Sequence, residues 1–340
     1  MIVKILIILI FVIISVLYFY KPNGIFRRIA LVLWISLAII AALRPETMAD
    51  YDNYVSAVEL PESYDATRFE PAFKLINYIC NSNYLLVFFL FSFLAIGIKI
   101  AWLYKLSPIL MGSMLVYVSN LYVLHEMIQI RAGVAAAFLL VLIPYLYNRD
   151  FKHFLFITLV AMTFHYSAIT FLFLWFVNPR SKQRIVYLSA LIISYALSMY
   201  GFTITNIVSY VPFEPIQLLY QSYSLKFDEY VNIFNILQIG RCLLCVVFWY
   251  YVDCVQKHCQ YFNILLKIYT IGLCALPLFS DLVVMSVRLN QLFITVEMAL
   301  VPVGFYYMFR QKHVSCLLTL TFSLLLLYMT MSNEEYWKPL

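Results

Sequence analysis

The chain has 340 residues, of which 64% are apolar and only 12% charged, and 23 Lys and Arg against 17 Asp and Glu give a net charge of +6. A soluble domain carries roughly 25% charged residues, so an ordinary soluble fold is excluded. The positive balance does not point to nucleic acid either, because there is no basic arm and the cations sit in short loops, as membrane topology requires.

The apolar residues come in long blocks, and a helix needs about 20 of them to cross a bilayer. The expectation is an all-α, polytopic transmembrane helical bundle of about 10–12 membrane segments, one integral membrane domain over residues 1–340. The first block, "MIVKILIILIFVIISVLYFY", has the lysine of a signal peptide but no small-x-small cleavage site, and it runs on into aromatics and "KPNG". It reads as a retained first span, about 2–20. Further spans are expected at about 26–43, 84–103, 107–124, 127–147, 185–201, 235–252, 263–280, 289–309 and 313–331.

Two long polar stretches interrupt them, about 44–80 and 203–234. In the first, Glu46, Asp50, Asp52, Glu59, Glu62, Asp65 and Glu70 outnumber Arg44, Arg68 and Lys74. The short loops holding Lys21/Arg27/Arg28, Lys99/Lys105, Arg149/Lys152 and Arg310/Lys312 are basic. Positive loops stay in the cytoplasm, which places both long stretches outside. In the second, "SYVPFEPIQLLYQSY" has the look of an amphipathic lid on that surface.

Phe151 to Val177, "FKHFLFITLVAMTFHYSAITFLFLWFV", is too long for one ordinary span and too short for two. A single crossing would put Arg180, Lys182 and Arg184 outside, against the charge rule. A hairpin turning at "FHYSA", around His165, keeps them inside, and is favoured. Irregular backbone at such depth is tolerated only inside protein or beside a wet cavity.

Cys242 and Cys245 form a CxxC, with Cys254, His258 and Cys259 just beyond. A zinc site would want two such pairs in a polar fold. Cysteine as a small helix-packing residue is the better reading, and no metal or other cofactor is expected.

With this topology the misplaced polar residues collect on the outer side. Asp50, Asp52 and Glu70 lie in the first long loop. Glu126, Gln129 and Arg131 open the fifth span, His165 marks the hairpin turn, and Gln238 and Arg241 follow the second loop. Arg288 and Asn290 enter a later span, with Glu297 two turns deeper on the face of Asn290. Each has a plain explanation: Arg131 could snorkel to the interface, and His165 could be an ordinary core histidine. Glu297 is harder to dismiss, since a glutamate in mid-span must be paired, protonated or wet. Taken together, Arg131, Arg241 and Arg288 suit an anion with several oxygens, and a carboxylate or histidine beside them could act as a base. Ala132, Gly133, Ala135, Ala136 and Ala137 let a neighbouring helix approach closely.

"ADYDNYVSAVE" followed by "RFEPAFKLINYI", then "IQIRAGVAAAFLL", "FHYSAITFLF" and "SVRLNQLFITVEMALVPV", in that order, resemble the EpsG family of bacterial polysaccharide polymerases, relatives of the Wzy O-antigen polymerases. The resemblance covers most of the chain. It implies a membrane glycosyltransferase joining oligosaccharide repeat units carried on undecaprenyl pyrophosphate, at the outer face of the bacterial plasma membrane. The product would be O-antigen, capsule or exopolysaccharide. It carries over to Asp50, Tyr51, Asp52 and Tyr54, to Glu70, and to Arg131, His165, Arg288 and Glu297. The expected roles are catalysis by Asp52, Glu70 or His165, pyrophosphate binding by Arg131, Arg241 and Arg288, and sugar binding or support from Asp50, Tyr51, Tyr54, Gln129 and Glu297. Where the family has a glutamine after the span arginine, this chain has Ala132, so the polar partner of Arg131 is open, with Gln129 one substitute. Expected partners are the lipid-linked oligosaccharide, membrane lipids, and chain-length-regulator and flippase proteins. The rival readings are a transporter or flippase for the same lipid-linked glycans, an O-antigen ligase-type transferase, and a non-catalytic assembly partner.

Overall fold

The computed structural model describes residues 2–20, 26–60, 69–202, 231–309 and 311–337, and among these residues every regular element is a helix. The lid expected at 209–223 lies outside the described residues. Among the described residues five helices are long and apolar enough to cross a membrane, beginning with α1 (Ile2–Tyr20). The protein is a multi-pass helical membrane bundle.

In chain order α2 (Phe26–Ala42), α3 (Tyr51–Glu59), α4 (Pro71–Ile79) and α5 (Tyr84–Leu106) follow. Next comes α6 (Leu110–Val116), which continues through π-helical turns at Tyr117–Leu121 and Val123–Ile128. Then come α7 (Ile130–Asn148), α8 (Phe151–Phe164), a 3-10 helix (Tyr166–Phe176), α9 (Arg184–Met199), α10 (Ile236–Gln256), α11 (Phe262–Leu278), α12 (Val283–Ile294), α13 (Glu297–Met308) and α14 (Lys312–Ser332). The chain divides into two compact units, residues 1–176 with 297–340, and residues 177–296.

The first unit contains the expected hairpin. At 1.5 Å per residue α8 is about 21 Å long, and the 3-10 helix at 2.0 Å per residue about 22 Å. Each is short of the roughly 30 Å hydrocarbon core. The chain reverses at His165, so that Trp175 returns to within 5.0 Å of Phe151 and 5.3 Å of Phe154, ring to ring. Arg149 closes the open end by donating to the Trp175 carbonyl.

Among the described residues of the polar stretch 44–80 there are two short helices. Its helices α3 and α4 bury Tyr51, Tyr54, Val58, Phe73 and Ile76 in one cluster with Phe88, Phe91, Ile130 and Val134 of α5 and α7. The apolar spacing at 51, 54, 58 and at 73, 76 is helical, and it was masked at sequence level by the acidic residues between. A second correction concerns Lys99. Read as a charge of a basic loop, it lies inside α5, fully buried, and pairs with the equally buried Glu126. A third concerns the expected span 289–309, which is broken between Ile294 and Glu297. Asn290 and Glu297 therefore sit on separate helices and share no continuous face.

The second unit packs α9 and α12 against α11. Pro277 has no N–H to give the carbonyl of Leu273 four residues earlier, and Gln238 Nε2 takes that acceptor at 3.1 Å. Asn290 Nδ2 donates to the Gly272 carbonyl at 2.9 Å. Gln238 thus satisfies a backbone carbonyl that hydrocarbon would leave bare. Lys267, fully buried, donates to the carbonyls of Asn178 and Ser181 at 2.6 Å each.

Candidate active site

Glu70 is the centre of the site. It stands at the N-cap of α4 with extended backbone, and Pro71 occupies the first helical position. The Glu70 side chain makes no capping bond. Its carboxylate turns inward instead and is almost completely buried. One oxygen, Oε2, pairs with Arg131 Nη1. The other, Oε1, lies 2.7 Å from His165 Nδ1 and accepts from the Tyr166 N–H at 3.3 Å.

Each partner is presented by a helix end. Arg131 is the second residue of α7, and a cation in a first turn is disfavoured by the helix dipole. The carboxylate offsets that penalty. The guanidinium also lies 4.6 Å from the Phe69 ring centre and 5.6 Å from that of Tyr54, contacts that favour a weakly hydrated planar cation. His165 ends α8 with extended backbone, where the hairpin turns. The sequence spacings are 61 and 95 residues, so the site is wholly tertiary.

The electrostatics are directional. Burial pushes the Glu70 carboxyl up, but the His165 hydrogen bond and the Arg131 charge outweigh it and hold the group below the usual glutamate range. Glu70 is therefore a carboxylate, able only to accept. A neutral His165 then carries its proton on Nδ1, leaving the lone pair of Nε2 directed away from Glu70. Carboxylate, oriented imidazole and clamped guanidinium form a constellation suited to general-base chemistry beside an anion.

The profile of the EpsG family matches residues 27–340 of this chain. The chain belongs to the EpsG family. It is also 26% identical over 240 residues to the amylovoran biosynthesis protein AmsC of Erwinia amylovora, an alignment covering 68% of this chain and 63% of that protein. No solved structure matches the chain.

Within this EpsG-family chain, the structure answers the open question about Arg131: its polar partner is Glu70, and Gln129 sits half-buried at the break before α7. Of the remaining expected residues, Tyr51 and Tyr54 are buried, and Tyr54 belongs to the cage around Arg131. Asp50 has left-handed backbone (φ 63°) and accepts from Asn53 Nδ2 at 3.2 Å. Asp52 points outward, exposed, from α3. Glu297 is buried at the start of α13. Arg241, buried, and Arg288, half-buried, belong to the second unit. Sequence reasoning passed over Phe69 and Phe73, which complete the aromatic wall. Their flanking position to Glu70 was the available signal.

Proposed function

We propose that this protein is a membrane glycosyltransferase that polymerises undecaprenyl-pyrophosphate-linked oligosaccharide repeat units into surface polysaccharide at the outer face of the bacterial plasma membrane. Membership of the EpsG family and similarity to a protein named for amylovoran biosynthesis support the polysaccharide role. The observation that carries the mechanism is the Glu70 carboxylate held between Arg131 and His165.

In this mechanism His165 is the base and Glu70 the residue that orients it. Nε2 of His165 takes the proton of an acceptor-sugar hydroxyl as that oxygen attacks the anomeric carbon of the donor. The carbon–oxygen bond to pyrophosphate breaks, and the electron pair leaves with the undecaprenyl pyrophosphate. Arg131 keeps 18% of its side chain exposed, and its remaining N–H groups meet the leaving phosphate oxygens. Charge grows there in the transition state, so a preorganised cation lowers the barrier more than it tightens ground-state binding. Asp52 is exposed on α3 and takes no part in this hydrogen-bond set.

The test is the length distribution of surface glycan in a deletion strain complemented with wild type or His165→Gln at equal expression. The expected result is single repeat units in the deletion, a restored ladder with wild type, and single units again with His165→Gln. Accumulation of lipid-linked units on the cytoplasmic face of the deletion strain would instead identify a transporter and overturn the assignment.

A further inference from the structure

Beneath Arg131 the first unit buries a second set of charges that the chemistry above does not use. Lys99 of α5 is fully buried, as are Tyr117 and Glu126. Lys99 Nζ pairs with Glu126 Oε1, Tyr117 donates to the same oxygen at 2.8 Å, and His125 Nδ1 lies 3.3 Å from Lys99 Nζ. Such a pair inside a membrane protein costs several kcal/mol of desolvation, and well-packed apolar residues usually serve stability as well or better. What these residues hold is therefore informative.

They hold the end of a helix. The π-helical turns finish at Ile128, and Gln129 breaks the chain before α7. The last carbonyls of a helix have no partner of their own, and hydrocarbon offers none. Ser92 Oγ donates to the Glu126 carbonyl at 3.2 Å, and Arg44 Nη1 to the Met127 carbonyl at 2.6 Å. Tyr122 fixes the preceding turn through the Leu37 carbonyl at 2.7 Å. Ser92 of α5 and Arg44 thus donate to the Glu126 and Met127 carbonyls, while Tyr122 donates outward to Leu37. The first turn of α7 is pressed onto the same segment: a Cβ on Gly133 would lie 2.4 Å from the His125 carbonyl oxygen. Arg131 stands between Gln129 and Gly133, so its position follows from this elbow.

We propose that Lys99, Glu126 and Tyr117, with Ser92 and Arg44, are positioning residues that fix the elbow at Gln129 and thereby aim Arg131 at Glu70. The inference rests on the proposed catalytic reading for its activity consequence, but the geometric consequence is independent of it. Lys99 and Ser92 are two turns apart on one face of α5, which lets a single helix grip both the side chain and the backbone of Glu126.

The test uses the full-length protein in nanodiscs carrying Lys99→Met, Tyr117→Phe and Glu126→Leu together, which removes both members of the Lys99–Glu126 pair at once. The expected result is a melting temperature at or above wild type, with amide exchange over 123–131 accelerated about tenfold or more while the end of α7 is unchanged. Polymerisation falls, and adding Arg131→Lys causes no further loss, the non-additivity of residues acting through one another. Wild-type exchange at 123–131, or losses that simply multiply with Arg131→Lys, would overturn the proposal. Should the triple variant fail to reconstitute, Ser92→Ala carries the same exchange measurement: faster exchange at the elbow supports the proposal, and unchanged exchange refutes it. If wild type proves to have no polymerase activity while the exchange result holds, the catalytic reading falls and the positioning role stands.

Discussion

Replacing Glu70 by glutamine keeps shape and volume but removes the property that organises the site. The carboxylate accepts on both oxygens, from Arg131 on one side and from His165 Nδ1 and the Tyr166 N–H on the other. Glutamine has one oxygen and one NH₂. If its oxygen faces His165, the NH₂ meets the guanidinium, donor against donor. If its NH₂ faces His165, the ring must accept on Nδ1 and carry its proton on Nε2, where it can no longer act as a base. Forcing the wrong tautomer on a catalytic imidazole lowers kcat by about 10⁴ in serine proteases, or roughly 5 kcal/mol at 1.36 kcal/mol per decade. Stability falls less. Stripping one partner from a dry ion pair costs about 3–5 kcal/mol, but Arg131 keeps 18% exposure and its aromatic cage, so a loss of about 1–3 kcal/mol is expected after that discount. The assay is polymer formation per mole of purified protein from lipid-linked repeat units, with a thermal melt on the same sample. A Glu70→Gln variant that polymerises within tenfold of wild type would refute the assignment of His165 as the oriented base.

Arg131→Lys keeps the charge but loses the planar fork and the face that packs on Phe69 and Tyr54; polymerisation is expected to drop about 10²–10³-fold, read from the glycan ladder and in-vitro turnover. Gly133→Ala drives a methyl into the His125 carbonyl, and a loss of about 1–3 kcal/mol should appear as a lower melting temperature together with weakened polymerisation. Gln238→Leu leaves the Leu273 carbonyl, already deprived by Pro277, without its donor; destabilisation of about 1–3 kcal/mol is expected and is checked by thermal melting. The lowered Glu70 pKa fixes a sign for acid: its stabilisation is fully present above the ordinary glutamate range and is lost as pH falls through the folded-state value. Wild type and Glu70→Gln should thus differ most in melting temperature at neutral pH and converge in acid, and a gap that widens in acid would contradict the ion-pair account.

The amino-acid sequence alone carried the fold class, because hydrocarbon selects apolar helices in blocks of readable length. It also carried the hairpin at His165: 27 residues from Phe151 to Val177 are too many for one crossing and too few for two. Glu70, Arg131 and His165 were each legible as polar residues out of place. Their grouping into one hydrogen-bonded set was not. Hydropathy reports depth along the membrane normal, one coordinate per residue. Which side chains meet depends on how each helix is rotated about its axis, and helices apolar on every face give little sign of that rotation. Lys99 shows the consequence. By composition it belonged to a basic loop, but the packing of α5 against the elbow at Gln129 placed it beside Glu126 in the core. Only the tertiary structure could decide that, because the partner that makes a buried lysine tolerable lies 27 residues away on another helix.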